Sequence, residues 1–491
     1  MSKLYVFGIG GTGSRVIRSL TMLLAAGVEC NDTIVPIIID RDLANADLTR
    51  TANLIEDYIS VSKKAPRPSE TNKNRFFSTP IELLDDHLFL KLEDNTQVFS
   101  EFIQQSTMNE ANQALVNMLF AEKTLQLNMT EGFQGNPNIG SVVLNKFDEA
   151  DIFKSFANNF QDGDKIFIIS SIFGGTGASG FPLLLKNLNS SKPEMDNWGY
   201  VQNAPIGAIS VMPYFNVSNK KSDRNKDSLV DSDTFIDKTK AALSYYQSLD
   251  NQLDTLYYIA DRERTTYEHN KGGVGQENDA HFVELVSALS ILDFASQTPK
   301  RKDNKRHTVY KEFGVEPGKQ TDAGGNEIVS DCRNMNFSDL ADTTNNIIRE
   351  PMIQFFLFRK YMKEVFDKES NYQPYARNLF DKGFKESDVI KKVESVQDDY
   401  YKWLKEMGRQ SRSFTPFKLD AYTKEPFEFI TDLKETKKVS FPYKYWSWMD
   451  NELNKNQRGV KKVSKSLSKE AQFIELFYIV TKKFVNEIAK K

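Results

Sequence analysis

The stretch that decides the fold is FIISSIFGGTGASGFPLLL, Phe167 to Leu185. An apolar, β-type run enters a set of glycines and leaves as a second apolar run. LYVFGIGGTGSRVIRSLTMLL, Leu4 to Leu24, does the same with the same inner GGTG. A strand that runs through a glycine turn into a helix points backbone N–H groups outward. It also places the positive end of the helix dipole at the turn, which suits phosphate. Glycine is needed there because a Cβ would block close approach and because some turn positions require positive φ. A tight turn with no ligand is the plain alternative for either corner taken alone. Two such corners from strands of one sheet can face each other across a single nucleotide. No tandem period links them, so they are not an array.

The segments around the corners support a sheet. DTIVPIIID reads as a buried strand ending in acid, and APIGAISVMPYF and LDTLYYIAD as two more. Residues 51–130 read as mostly helical, with a polar loop at KKAPRPSETNKNR. Strand and helix alternate up to NDAHFVELVSALSILDFASQ, the best candidate for a buried central helix. The alternation then stops. TPKRKDNKRH reads as a solvated basic loop, with a docking patch as the alternative. From Asp339 onward the chain is polar and helical with aromatic anchors, as in IREPMIQFFLFRKYMKEVF. The expected architecture is α/β: a Rossmann-like parallel-sheet nucleotide-binding domain over 1–277 and a long central helix over 278–298. A basic loop and a water-positioning loop follow over 299–344, then a mostly helical C-terminal domain over 345–491.

Composition narrows the class. A chain of 491 residues is long enough for two or three domains. Its net charge of −3 gives no electrostatic footprint for nucleic acid or an anionic membrane. No apolar run approaches the ~20 residues that span a bilayer. MSKLYVFGIG lacks the basic start and long apolar core of a signal peptide, which makes the cytoplasm the expected compartment. Cys30 and Cys332 are the only cysteines, so there is no disulfide framework and no CxxC pair. With four histidines and no His/Cys cluster, a structural zinc site is not expected.

Two further stretches carry chemistry. Asp40, at the end of IIIDRD, has two usual jobs: binding a ribose hydroxyl or holding Mg²⁺ beside phosphates. A loop cap is the plain alternative. EGFQGNPNIG, Glu131 to Gly140, is a polar, turn-rich loop whose backbone amides suit a terminal phosphate.

Taken in order, these motifs resemble the tubulin and FtsZ superfamily of GTP-binding proteins. FGGTGAS resembles its signature glycine loop, GNPNIG its GNPEIG-type loop, and GIGGTGSR its first loop. IIID, VMPYF, IADR and the NDAHFVELV helix resemble further family elements in the same order, over about the first three fifths of the chain. The resemblance implies that Gly8, Gly10, Gly11, Thr12, Gly13 and Ser14 form one phosphate wall. Gly174, Gly175, Thr176, Gly177, Ala178 and Ser179 form the other. Gly135, Asn136 and Pro137 would lie near the γ-phosphate, and Asp40, Arg41 and Asp42 near the phosphates, with Mg²⁺ on Asp40 and Asp42. Asp261 would take the place of a base-contacting Asn, favouring guanine, with Asn278 and Asp279 approaching the same base. GTP or GDP with Mg²⁺, self-association into filaments or oligomers, and slow hydrolysis at the subunit interface are the implied properties.

The departures from the family pattern are specific. Arg15 replaces an Asn and offers a charged fork for a phosphate. Phe173 replaces a glycine and Ala178 a hydroxyl residue, while Ser179 stands where a glycine is usual. In MNFSDLAD the family's acid run is shifted, leaving Asp339 and Asp342 as the catalytic, water-orienting candidates. The plain alternative is a helix start capped by Ser338. Two other functions fit part of the pattern. One is a non-hydrolysing nucleotide-binding subunit that docks a protein partner through its helical domain. The other is a ubiquitin-activating-like adenylyltransferase, resembled by GIGGTGSR and IIIDRD but lacking CxxC.

Overall fold

A computed structural model describes residues 2–65, 75–91, 98–129, 132–133, 135–192, 194–218, 235–262, 264–268, 273–299, 301, 305–314, 318–321, 327–330, 333–366, 373–379, 383–421, 425–431, 433, 444–463 and 468–488. Six strands form one parallel sheet: β1 Lys3–Ile9, β2 Thr33–Ile39, β3 Lys165–Ser171, β4 Ile206–Val211, β5 Thr255–Ala260 and β6 Val309–Gly314. Their order is β2-β1-β3-β4-β5-β6. The main helices are α1 Gly10–Ala25, α2 Ala46–Ser62, α3 Pro137–Val143, α4 Gly175–Asn189, α5 Phe235–Gln247, α6 Phe282–Ala295, α7 Asp342–Tyr361, α8 Asp388–Met407, α9 Trp446–Val463 and α10 Lys469–Ile488. The fold is α/β, with helices on the sheet and a mostly helical C-terminal region.

Strands β1 and β2 are almost wholly apolar because both faces of a parallel sheet are covered. β1 is central, pairing β2 from Lys3↔Thr33 to Ile9↔Ile39 and β3 from Leu4↔Lys165 to Gly8↔Ile169. The chain therefore leaves β1 toward one side and returns on the other. This reversal opens a crevice at the carboxyl ends of β1 and β3.

Outside β2 the expected helical reading of residues 51–130 holds at Ala46–Ser62 and Glu110–Leu119 but fails between Ile81 and Phe89. Ile81 bridges Ile34 and Phe89 bridges Ile38, both parallel, so this segment is extended along the sheet edge. Two bridges form rather than a strand because of Pro36. The outward N–H groups of Ile34 and Ile38 donate to Pro80 and Leu88, but Pro36 between them has no N–H to give.

Helix α6 is buried nearly all round, which explains its largely apolar sequence. Phe294 on α6 packs on Phe167 of β3 with ring centroids 5.5 Å apart. The basic run after α6 is not a simple solvated loop. Arg301 and Arg306 donate to the Ala204 carbonyl, and both form ion pairs with the buried Asp254.

The C-terminal helices share the core of the sheet layer. Phe358 of α7 is fully buried, stacked on Phe76 at 5.4 Å and on Phe477 of α10 at 4.6 Å. Trp403 of α8 donates its indole N–H to Ser19 of α1 at 3.1 Å.

Phe358 holds three elements together, so Phe358→Ala should lower the unfolding free energy by about 3–5 kcal/mol. A urea midpoint equal to that of wild type would show that the helical region does not share this core.

Candidate functional site

The two glycine corners meet. Gly10 has a φ of +73°, and a Cβ built on it would lie 3.4 Å from Cβ of Thr176. Each corner is sealed onto its own strand by a second glycine. A Cβ on Gly13 would lie 2.4 Å from the carbonyl carbon of Gly8, and one on Gly177 would lie 2.6 Å from the Ser171 carbonyl oxygen. Any larger residue would prise helix from strand. α1 and α4 begin with no side-chain cap and no acid in the first turn. Their leading N–H groups therefore face the crevice without a side-chain acceptor, at the positive ends of two long helices.

The GNPNIG loop closes on the second corner. Asn136 caps α3, its Oδ1 accepting from Asn138 N at 3.1 Å. Its backbone N lies 3.0 Å from where a Cβ of Gly175 would be. Lys238 of α5, absent from the sequence expectations, donates to the Gly135 carbonyl at 3.0 Å. Glu131, the first residue of this motif, lies outside the described residues.

The structure brings twelve predicted residues onto this cleft: Gly10, Gly11, Thr12, Arg15, Asp40, Asp42, Gly135, Gly174, Gly175, Thr176, Gly177 and Asn278. Gly8, Gly13, Asn136, Pro137 and Ala178 belong to the corners and the GNPNIG loop, Arg41 follows β2, and none of the six is on its lining. The Ser14 hydroxyl turns away and donates to Thr51 Oγ1 at 3.0 Å. The Ser179 hydroxyl bonds back to the Gly175 carbonyl at 2.7 Å. Asp279 is half-buried and off the lining. Asp261 is also off it, buried, and accepts from Arg412 Nε at 2.6 Å. That ion pair engages the carboxylate expected to read a base.

Arg15 is engaged as well. It does line the cleft, but its fork is spent inward. Nε donates to Glu284 at 2.7 Å, Nη1 to Asp47 at 2.9 Å and Nη2 to the Tyr214 hydroxyl at 2.8 Å. The network runs on. Arg50 donates to Asp47 at 2.7 Å and to Glu406 of α8 at 2.8 Å, and Arg18 donates to Glu406 at 3.0 Å. Burial holds the Glu284 carboxyl above the usual range, against the pull of Arg15. Sequence reading missed Asp47, Glu284 and Glu406. The available signal was a Glu in the first turn of a largely apolar central helix and two Arg residues inside the largely apolar α1.

Asp40 lines the cleft with its carboxyl pushed up to about 7, first by burial, with Asp42 adding repulsion. Asp42 Oδ2 accepts from Gly273 N at 2.8 Å. Two carboxylates beside a bed of N–H donors fit Mg²⁺ that arrives with phosphate, since Mg²⁺ takes only one or two carboxylates in such sites. Among the described residues no group of three or more His, Cys, Asp or Glu is placed to hold a metal.

Phe173, in the family's glycine position, packs on Tyr214, Phe215 and Phe235 with centroids 6.1, 5.4 and 5.1 Å apart. It gives the cleft an aromatic wall. Asp339 and Asp342 are elsewhere. Asp339 lines a separate groove with Tyr257, Val286 and Lys311, and accepts from Asn336 N at 2.8 Å. The cap of that short turn is Asn336 rather than Ser338. Cys30 is buried with its thiol pushed up to about 11 by desolvation, unsuited to nucleophilic chemistry. Cys332 lies outside the described residues. Among those residues no helix is long and apolar enough to cross a membrane.

No family model matches the sequence, and no curated protein matches it. Solved structures do match in part. CetZ from Methanosaeta thermophila is 14% identical, with a TM-score of 0.26, over 60% of this chain and 51% of that one. CetZ2 from Haloferax volcanii, a GTPγS-bound protofilament, is 12% identical with a TM-score of 0.28, over 60% and 59%. An FtsZ mutant from M. jannaschii is 17% identical with a TM-score of 0.25, over 52% and 46%. The chain thus spans about half the length of the structures it matches, and scores this low carry no argument. The fold rests on the strand order and the site on the cleft.

Two outcomes test this geometry. Asp47→Ala strands Arg15 and Arg50 without their shared acceptor and should cost about 3–5 kcal/mol of stability in urea denaturation. His281 is buried at the start of α6, beside Tyr267, with its pKa lowered from 6.5 to about 3 by burial and then by Arg15. The unfolded chain therefore binds a proton between pH 6.5 and 3 that the folded chain refuses. Stability from this group is full above pH 6.5 and falls as pH drops, by about 2 kcal/mol at pH 5. Comparing wild type with His281→Phe at pH 7 and 5 should show that difference, and parallel losses in both would contradict it.

Proposed function

We propose that the protein is a tubulin/FtsZ-like nucleotide-binding protein that takes GTP or GDP with Mg²⁺ and associates head to tail with copies of itself. One observation carries the reading: the uncapped N-termini of α1 and α4 meet at Gly10 and Thr176, at the point where the sheet order reverses. Such a crevice is where open α/β sheets hold phosphates. Gly11, Thr12, Gly175 and Thr176 would present backbone N–H groups to the phosphates, and Gly135 would close over the terminal one. Asp40 and Asp42 would hold Mg²⁺, which when bound neutralises phosphate charge. Neither Asp339 nor Asp342 lines the cleft, so both would act only on the nucleotide of a neighbouring copy. Hydrolysis is accordingly slow and dependent on assembly. The cytoplasm is the compartment that fits this chemistry.

A second reading has one observation in its favour. Asp339 is already engaged in the Asn336 turn and Asp342 sits at the first position of α7, where an acid steadies the helix dipole. In that reading the protein binds nucleotide without hydrolysing it, in a fixed oligomer, and docks a partner through its C-terminal helices.

Two measurements decide. The nucleotide released from purified protein should be GDP or GTP by chromatography; adenine nucleotide alone would overturn the guanine assignment. Sedimentation with GTP should rise steeply above a threshold protein concentration, with phosphate release rising alongside. A constant oligomer without turnover would favour the second reading.

A further inference from the structure

Helix α5 touches three parts of the cleft and its supports. Phe235 lines the cleft and packs on Phe173 with ring centroids 5.1 Å apart. Lys238 Nζ donates to the Gly135 carbonyl at 3.0 Å. The Tyr246 hydroxyl donates to the Ala178 carbonyl, in the first turn of α4, at 3.3 Å. The spacing of these three residues puts them on one face of the helix. That face ties together the aromatic wall, the GNPNIG loop and the start of α4.

The tie at Gly135 bears on binding. Asn136 N donates to the Phe133 carbonyl at 2.8 Å, closing a turn across Gly135, whose φ is +73°. Glycine takes that conformation at no steric cost and leaves it as readily. On the other side the loop meets the second corner, where a Cβ on Gly175 would lie 3.1 Å from Gly135 N. Lys238, half-buried on α5, holds the same glycine through its carbonyl. A charged donor makes the stronger kind of hydrogen bond. Gly135 lines the cleft and Lys238 does not, so the lysine acts on the cleft through the glycine.

We propose that Lys238 is a positioning residue that holds the GNPNIG loop ready for a terminal phosphate, and so sets the preference for a nucleoside triphosphate over a diphosphate. A loop ordered beforehand spares the ligand the cost of ordering it. A triphosphate reaches the loop and gains from that order; a diphosphate ends short of it and does not. The proposal rests on the nucleotide reading, in which Gly135 closes over the terminal phosphate.

The test is displacement of a fluorescent GDP from the full chain by GDP and by GTPγS. Lys238→Met keeps the aliphatic stem and removes the donor. It should weaken GTPγS by about 10-fold and GDP by less than about twofold. Lys238→Arg, which can still donate to the carbonyl, should restore most of the wild-type ratio. In Lys238→Met, amide hydrogen exchange at Asn136–Gly140 should quicken while exchange in β1 stays as in wild type. A GTPγS-to-GDP affinity ratio that does not move, with both nucleotides weakened alike or neither, overturns the role of Lys238 and leaves the nucleotide site standing. Wild-type protein that binds neither nucleotide overturns the guanine-nucleotide reading itself.

Discussion

The structure depends on how one buried positive charge is satisfied. Arg15 lies in the middle of α1, between the sheet and the helices, with almost no contact with water. A guanidinium in such a place is costly unless every side of it is answered. Glu284 of α6, Asp47 of α2 and Tyr214 beyond β4 answer it from three elements. Asp47 is shared with Arg50, and Arg50 shares Glu406 of α8 with Arg18. Three arginines and three carboxylates thus form one open circuit of ion pairs through α1, α2, α6 and α8. Removing any partner strands a charge, so the circuit fixes how these helices sit far more than it adds to net stability.

That circuit also sets the shape of the cleft. Because the Arg15 fork is turned inward, the glycine end of the crevice is left to backbone N–H groups and helix dipoles. Those are fixed in place by glycine contacts that no side chain could replace, as at Gly13 and Gly177. The other end is apolar and aromatic, with Phe173 anchoring a cluster that includes Tyr214, itself a member of the circuit. The two ends therefore share one frame: a charge network behind the wall and a polar–aromatic division in front of it.

Much of this was legible in the sequence. The two GGTG corners, the acid after β2 and the GNPNIG loop all reach the cleft or its supports, because each is a local device: a strand, a turn and a helix adjacent in the chain. The helical reading of residues 51–130 failed at Ile81–Phe89, where an extended edge is held by hydrogen bonds to residues some fifty positions earlier. The partners that engage Asp261 and Arg15 were out of reach for the same reason. Each has a partner, Arg412 or Glu284, that lies far along the chain. Phe173 looked like a defect in a glycine loop, and its reason became visible only beside Phe215 and Phe235.

The sequence by itself determined the parallel sheet, the two phosphate-type corners and the buried central helix. Hydrophobic period, glycine placement and strand–helix alternation act within a dozen residues of one another. Only the tertiary structure decided which polar side chains face the cleft and which are consumed in ion pairs. A side chain's chemistry is local, but whether it is free to use that chemistry depends on which distant residue is packed against it.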